Sequence, residues 1–509
     1  MPPRLRLLLA LTLSACAQTV APAAPGDAAD APDASADDVA EEPALPPGLA
    51  RALTITDVAA FQSVRVPLFA DGAVVSPRVL PIIAGRALAV RVYVRPEAGY
   101  EPVEVDAELT ARTGGRAVVV HDRKRIESAS RDAQPATLFT FRLPDESVGP
   151  DTALSVRLLT PGGGPEADGV ADPARFPAAG GGHALRAMDG GPIEVTIVPL
   201  RWDVDRSGRV PELAALQLED LRASLRAMYP VREVRIDVRE PVSWARGLLP
   251  SGNVDFGAIL ATLRTLRASD GAPATRYYYG MVTPTDSEGE YCQGRCVLGQ
   301  AYLPSGPADR LGRVASGVGF GGAEDARTFT HELGHAHGRA HAPCGDVAGA
   351  DGEFPYENGA VGVWGYDERS RTFLRPTAFD LMGYCRPVWI SDYTYGGIWE
   401  WVTAVNGVAS TRGLAAPSPA PVRHRVLRVG ASLTPEWLDG LDEPPAAGAA
   451  SLAWRDAAGR VLARATAESA PLADSDERHV LVPPGPPGAR SLDVTVAGAS
   501  YRVALPAAW

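Results

Sequence analysis

Across 509 residues the chain has only eight histidines, five cysteines and five methionines. Such scarcity makes any clustering of these residues informative. Past the N-terminus no stretch is apolar for the ~20 residues that a membrane-spanning helix needs. No basic cluster stands out either. The densest run, Arg123-Lys124-Arg125, follows Asp122 and reads as a hairpin or loop tip. With a formal net charge of −12, the missing basic stripe excludes a nucleic-acid partner. Residues 17–50 hold no aromatic and no basic residue. Built from Ala, Pro, Asp and Glu, that segment cannot bury enough apolar surface to order itself. No sequence repeat is visible.

The N-terminus carries its own message. Arg4 and Arg6 precede an apolar run from Leu7 to Leu13, followed by Ser14, Ala15 and Cys16. A basic start, a short apolar run and small residues form a secretory signal. Leu13-Ser14-Ala15-Cys16 resembles a bacterial lipobox, which implies cleavage before Cys16 and lipidation of its sulfur. Ala17 after it implies outer-membrane routing. The expectation is an exported bacterial lipoprotein at the cell surface or outer membrane, anchored by lipid at Cys16. Without Cys16 four cysteines remain, and in an exported protein an even remainder reads as disulfides. Of three connectivities we choose Cys292–Cys296 and Cys344–Cys385. The rival, Cys292 and Cys296 as half of a structural metal site, lacks a matching second pair.

Half of the histidines fall in one run, His331-Glu332-Leu333-Gly334-His335-Ala336-His337-Gly338-Arg339-Ala340-His341. This is HExxHxxGxxH. Residues four apart share a helix face, so His331 and His335 can offer two imidazoles to one metal. Glu332 lies on the neighbouring flank, where it can hold a water without ligating the metal. Gly338 can take φ > 0 and end the helix, turning the chain so that His341 supplies a third nitrogen. Three neutral nitrogens and an open fourth position describe a catalytic Zn2+ site. His337 sits about 200° around the helix from His335 and has no place on that face. His121, His183, His424 and His479 are scattered and read as structural.

Downstream stands Asp380-Leu381-Met382-Gly383-Tyr384-Cys385. HExxHxxGxxH followed by a Met-containing turn resembles the metzincin metallopeptidases. The resemblance covers Pro192 to Gly407 and is similar in outline to secreted bacterial StcE-type mucin-cleaving proteases. It implies that Met382 floors the three histidines and that Tyr384 lies near zinc and stabilises the oxyanion. Ala342 departs from the residues that mark several metzincin branches, which leaves specificity undecided.

The expected fold is multidomain: an α/β catalytic domain with a twisted mixed sheet and a zinc helix, flanked by two all-β sandwiches. The boundaries are a signal peptide (1–15), an acidic tether (16–50), an N-terminal sandwich (51–190), the zinc metalloprotease domain (191–410), a linker (411–423) and a C-terminal sandwich (424–509). Period-two alternation marks strands at 63–68, 87–94, 103–109, 138–143 and 154–159. Within the catalytic domain, strands are expected at 193–198, 234–238 and 276–282. Helices are expected over Pro211–Met228 and Asp255–Arg267, with the zinc helix starting near Glu324 or Asp325. Gln300 to Leu303 is the candidate edge strand of the cleft, where an extended peptide could be captured. Trp389 to Tyr395 are expected to shape the specificity pocket, although the aromatics here read equally well as core, and residues 391–405 to form the closing helix.

These expectations add up to a monomeric zinc-dependent endopeptidase acting on extracellular or cell-surface proteins, including glycoproteins. Glu332 would be its general base and Tyr384 an oxyanion donor. The alternative is a surface-anchored glycan- or protein-binding lipoprotein with an inactive zinc domain. A third reading is a zinc hydrolase of non-peptide amides. Asp346 and Asp351 could serve Ca2+, but such carboxylates are more often turn residues.

Overall fold

The computed structural model describes residues 46–166, 170–293, 296–411, 421–431, 433–443 and 448–506. The signal peptide, Cys16, the tether up to residue 45 and the linker over 412–420 lie outside the described residues.

The middle of the chain builds a six-stranded mixed sheet, in which the short strand Val242–Trp244 pairs with residues 200–202 beside the main path of five. Those five are β1 (Pro192–Trp202), β2 (Glu233–Val238), β3 (Arg276–Val282), β4 (Gly299–Ala301) and β5 (Val314–Val318), in the order β2-β1-β3-β5-β4. All pairings are parallel except β4 with β5, so β4 forms an antiparallel edge. Ile193, Val195, Ile197, Val198 and Leu200 along β1 are all buried, as expected of a strand covered on both faces.

Helices α1 (Ala215–Met228), α2 (Phe256–Ser269), α3 (Ala323–Ala336) and α4 (Asp392–Thr411) accompany this sheet. α1 begins four residues later than the alternation suggests. Pro211 stays extended and buried, packed so close to Gly319 that a Cβ there would stand 3.1 Å from it. Asp255 caps α2 by accepting a hydrogen bond from the Ala258 N–H at 3.1 Å, which satisfies a free helix donor.

Before β1, two antiparallel sheets face each other. One holds strands 47–49, 153–161, 103–113 and 116–126; the other holds 53–70, 88–96 and 139–143. Arg123-Lys124-Arg125 lies in a hairpin, within strand Arg116–Ile126 paired to 103–113, and not at a loop tip. Its side chains pair across the solvated face, as Arg123 does with Asp106. Residues 47–49, expected in the tether, pair with 159–161 because Leu49 has a core to enter.

The second sheet gains strands from far away. Gly365–Asp367 pairs with residues 63–64 and with Thr372–Leu374, so chain from between the third histidine and the Met-turn completes it. One continuous core therefore runs from Leu53 and Val90 to Leu333 and Met382. After α4, strands 422–429, 436–443, 469–471 and 478–482 form one sheet, and 450–455, 461–467, 491–496 and 499–504 form another. These two four-stranded sheets enclose their own core around Leu452, Trp454 and Val494.

Candidate metal centre

The centre grows out of α3. Gly322, with φ of 100°, turns the chain into the helix, and the Asp325 carboxylate accepts hydrogen bonds from the N–H groups of Phe320 and Gly321. The helix stops in a Schellman turn. The Arg339 N–H donates to the Gly334 carbonyl and the Gly338 N–H to that of His335. This requires the left-handed φ of 73° that Gly338 adopts. A Cβ on Gly338 would also stand 2.5 Å from the Trp401 ring.

The turn does more than end the helix, because the Arg339 carbonyl it positions accepts a hydrogen bond from His335 Nδ1 at 2.7 Å. Gly338→Ala is therefore expected to cost about 2 kcal/mol or more of stability. Urea unfolding, with zinc content measured alongside, checks this.

The other two imidazoles are held in the same way. His331 Nδ1 lies 2.8 Å from the Leu381 carbonyl and His341 Nδ1 2.6 Å from the Ala348 carbonyl. With each Nδ1 donating its proton to a carbonyl, each Nε2 is left as a lone pair pointing inward. His335 Nε2 lies 3.1 Å from both His331 Nε2 and His341 Nε2. Three lone pairs facing one another at this range repel unless a cation lies between them. Tetrahedral zinc with Zn–N near 2.05 Å would set these nitrogens about 3.3 Å apart, so the donor set fits that ion. Burial draws His331 down to about pKa 4 and lowers His335 as well, helped by His331 next to it. Both are neutral at neutral pH, as metal ligands must be.

Glu332 points to the same space. Its side chain is buried, Oε2 has no partner among the described residues, and burial together with the charge of Asp474 raises its pKa. Gly299 on β4 makes the room, since a Cβ there would stand 2.7 Å from Glu332 Oε1. A cavity of about 500 Å³ opens here, lined by Leu298, Gly299, His331, Glu332, Tyr384 and Asp474.

The Met-turn closes the floor. Met382 is buried, with its sulfur so near Gly334 that a Cβ on that glycine would lie 2.4 Å away. Asp380, fully buried, braces the turn by accepting from the N–H groups of Met382 and Ser391, each at 2.8 Å. The Tyr384 hydroxyl lies 3.4 Å from His341 Nε2 and donates to Asp474. Disulfides join Cys292 to Cys296 and Cys344 to Cys385.

His337 stays off the metal face as expected, buried and stacked on Tyr277 with centroids 4.7 Å apart. Other expectations fall elsewhere. Trp389 to Tyr395 do not line the cavity. Trp389, Ile390 and Tyr395 are buried, and the Trp389 indole donates to the Ser63 carbonyl at 2.7 Å. The strand that reaches across from the N-terminal sheet draws these aromatics into the core. Asp351 accepts hydrogen bonds from the Glu353 N–H and the Tyr393 hydroxyl, as a turn residue does.

Asp474 is the member that sequence reasoning missed. It joins the three histidines in one cluster of ligand atoms within 4.8 Å of one another. Oδ1 lies 2.9 Å from His341 Nε2, and Oδ2 lies 3.8 Å from His335 Nε2. Burial alone would depress His341, but its bond to Asp474 raises it instead. In sequence Asp474 is one of several acidic residues in a turn of the last sheets, and nothing there marks it as a ligand.

Known proteins share part of this chain. Residues 254–386 match the Peptidase M66 family. Dictomallein of Burkholderia pseudomallei (strain K96243) and of Burkholderia mallei (strain ATCC 23344) is 35% identical over 122 residues, which is 23% of this chain. The chain thus spans 15% of the length of these curated relatives. The metzincin resemblance and the convergent imidazoles meet in one segment, and the residues that match the Peptidase M66 metalloprotease family hold a three-histidine candidate zinc site.

Proposed function

We propose that this chain is a zinc-dependent endopeptidase that hydrolyses peptide bonds of extracellular or cell-surface proteins, glycoproteins among them. One observation carries the reading: three imidazoles with their Nδ1 protons committed to backbone carbonyls turn their Nε2 atoms on one point, beside a buried glutamate. His331, His335 and His341 would hold the ion. When bound, zinc supplies Lewis acidity, acidifying a water and polarising a carbonyl.

The remaining chemistry belongs to the side chains. Glu332 takes the proton of the attacking water and passes it to the leaving amine, and its raised pKa suits a group that must hold that proton between the two steps. The Tyr384 hydroxyl, beside His341, donates to the oxyanion. Met382 and Asp380 hold the floor. Glu332 and Gly338 are both intact, which disfavours a binding protein built on a decayed site.

The N-terminal signal and Cys16 support export and lipid anchoring, with the folded part acting as a monomer at the cell surface or outer membrane. Cleavage of a peptide library is expected to vanish with a zinc chelator and to return on adding zinc. Chelator-resistant cleavage would remove the metal from the mechanism.

A further inference from the structure

We propose that Asp474 is a fourth protein ligand of the metal and that the loop carrying it keeps the site closed, so that the fold described here is a latent form. The inference rests on the zinc-peptidase reading and extends it to a residue far outside the histidine motif.

Geometry supplies the first argument. A catalytic zinc site leaves one position to water or substrate, whereas a site with four protein ligands is closed. Asp474 brings a carboxylate to 2.9 Å from His341 Nε2, and its side chain is only 9% exposed. A protonated His341 alone would pair with this carboxylate but leave the His331 and His335 nitrogens facing each other 3.1 Å apart, a repulsion that a shared cation relieves. Tyr384, the candidate oxyanion donor, spends its hydroxyl proton on the same carboxylate. One residue thus occupies both the metal's fourth position and the hydroxyl that would meet the reacting carbonyl.

The backbone supplies the second. β4 is the open edge along which an extended peptide could bind. That edge is already taken. Ala473 N–H donates to the Ala301 carbonyl at 2.8 Å, Leu303 N–H to the Pro471 carbonyl at 3.0 Å, and Tyr302 bridges Leu472 in antiparallel fashion. The Gln300 side-chain amide adds a bond to the Ala473 carbonyl. Residues 471–473 therefore lie where a substrate strand would, and Asp474 follows at the metal.

The loop is braced from behind. His479 accepts or donates a 2.6 Å bond with the Tyr302 hydroxyl, and Arg428 bridges Asp255 to Glu477. Asp474 itself holds a φ of 63°, a left-handed conformation uncommon outside glycine, asparagine and aspartate. Strain of this kind gathers at clamps and switches. Cleavage then requires that a substrate strand, or a partner that pulls on the last two sheets, displace this loop.

The test uses the full chain with Asp474→Asn, which keeps the size and tolerates the backbone, and Asp474→Gly, which takes the φ freely. Each protein is loaded with Co2+ and followed by visible absorption while acetohydroxamate is titrated in. Zinc stoichiometry and kcat/KM on the peptide library are measured alongside. The expected result is a changed cobalt spectrum in both variants, hydroxamate binding at least ~10-fold tighter than in the parent, and kcat/KM raised by a similar factor. A parent that binds one metal but shares its cobalt spectrum and hydroxamate affinity with both variants would overturn the role of Asp474 alone. A parent that binds no stoichiometric metal would overturn the zinc reading itself, and this inference with it.

Discussion

Replacing Glu332 with alanine is expected to leave fold and metal content intact while lowering kcat by two to three orders of magnitude or more. The carboxylate is not among the clustered ligand atoms, which come from His331, His335, His341 and Asp474. Its loss should therefore not release the ion. Nor does it brace the helix, since its Oε2 makes no hydrogen bond among the described residues. What disappears is the buried carboxylate that stands beside the metal cluster without belonging to it. Burial, with the charge of Asp474 beside it, raises the affinity of that carboxylate for a proton. Zinc content by elemental analysis, a circular dichroism spectrum and kcat on a cleaved peptide decide the matter. Retained proteolysis at parental zinc content would exclude Glu332 as the base. Because the loop of Asp474 covers the parent site, the comparison is sharpest in the Asp474→Asn background.

How much of this was legible depends on how local each signal is. The zinc helix was plain because its ligands are four residues apart on one helix, and the third follows a glycine whose φ nothing else tolerates. The Met-turn was legible from a scarce residue standing in place, with Asp380 two residues before it as a brace. The strands of the mixed sheet were visible for a similar reason, since β1 and β3 are short apolar runs between turn residues. Long-range pairing was not legible. No pattern in Gly365–Asp367 tells that it completes a sheet begun three hundred residues earlier, and for that reason the sequence leaves Trp389 open between pocket and core. Asp474 was out of reach on the same grounds. A ligand delivered by a turn of a separate pair of sheets has no fixed spacing from the histidines, and an aspartate in a turn is ordinary. Geometry that a single helix or turn makes leaves a fixed spacing in the sequence; geometry that two distant segments make together leaves none.

The Cys344–Cys385 bridge tests that distinction from the stability side. It joins the segment just after His341 to the residue just after Tyr384, across a sequence separation of 41. Backbone bonds reinforce the same junction, with Tyr384 N–H donating to the Cys344 carbonyl at 2.9 Å and Ala342 N–H to the Met382 carbonyl at 3.1 Å. Closing a loop of that length in the unfolded chain is worth about 4 kcal/mol in the chain-entropy model. Changing both cysteines to serine is expected to lower unfolding stability by roughly that amount in urea titrations. The bonds at 342 and 384 should keep the native geometry, so zinc stoichiometry in the folded fraction should persist. The Cys292–Cys296 bridge, with a separation of only 4, is worth about 2 kcal/mol in the same model, so its double serine variant should shift the urea midpoint about half as far. Equal shifts for the two pairs would mean that loop closure is not what stabilises the site. Loss of zinc from the folded Cys344→Ser, Cys385→Ser protein would mean that the bridge itself, and not the hydrogen-bonded backbone beside it, holds His341 against the Met-turn.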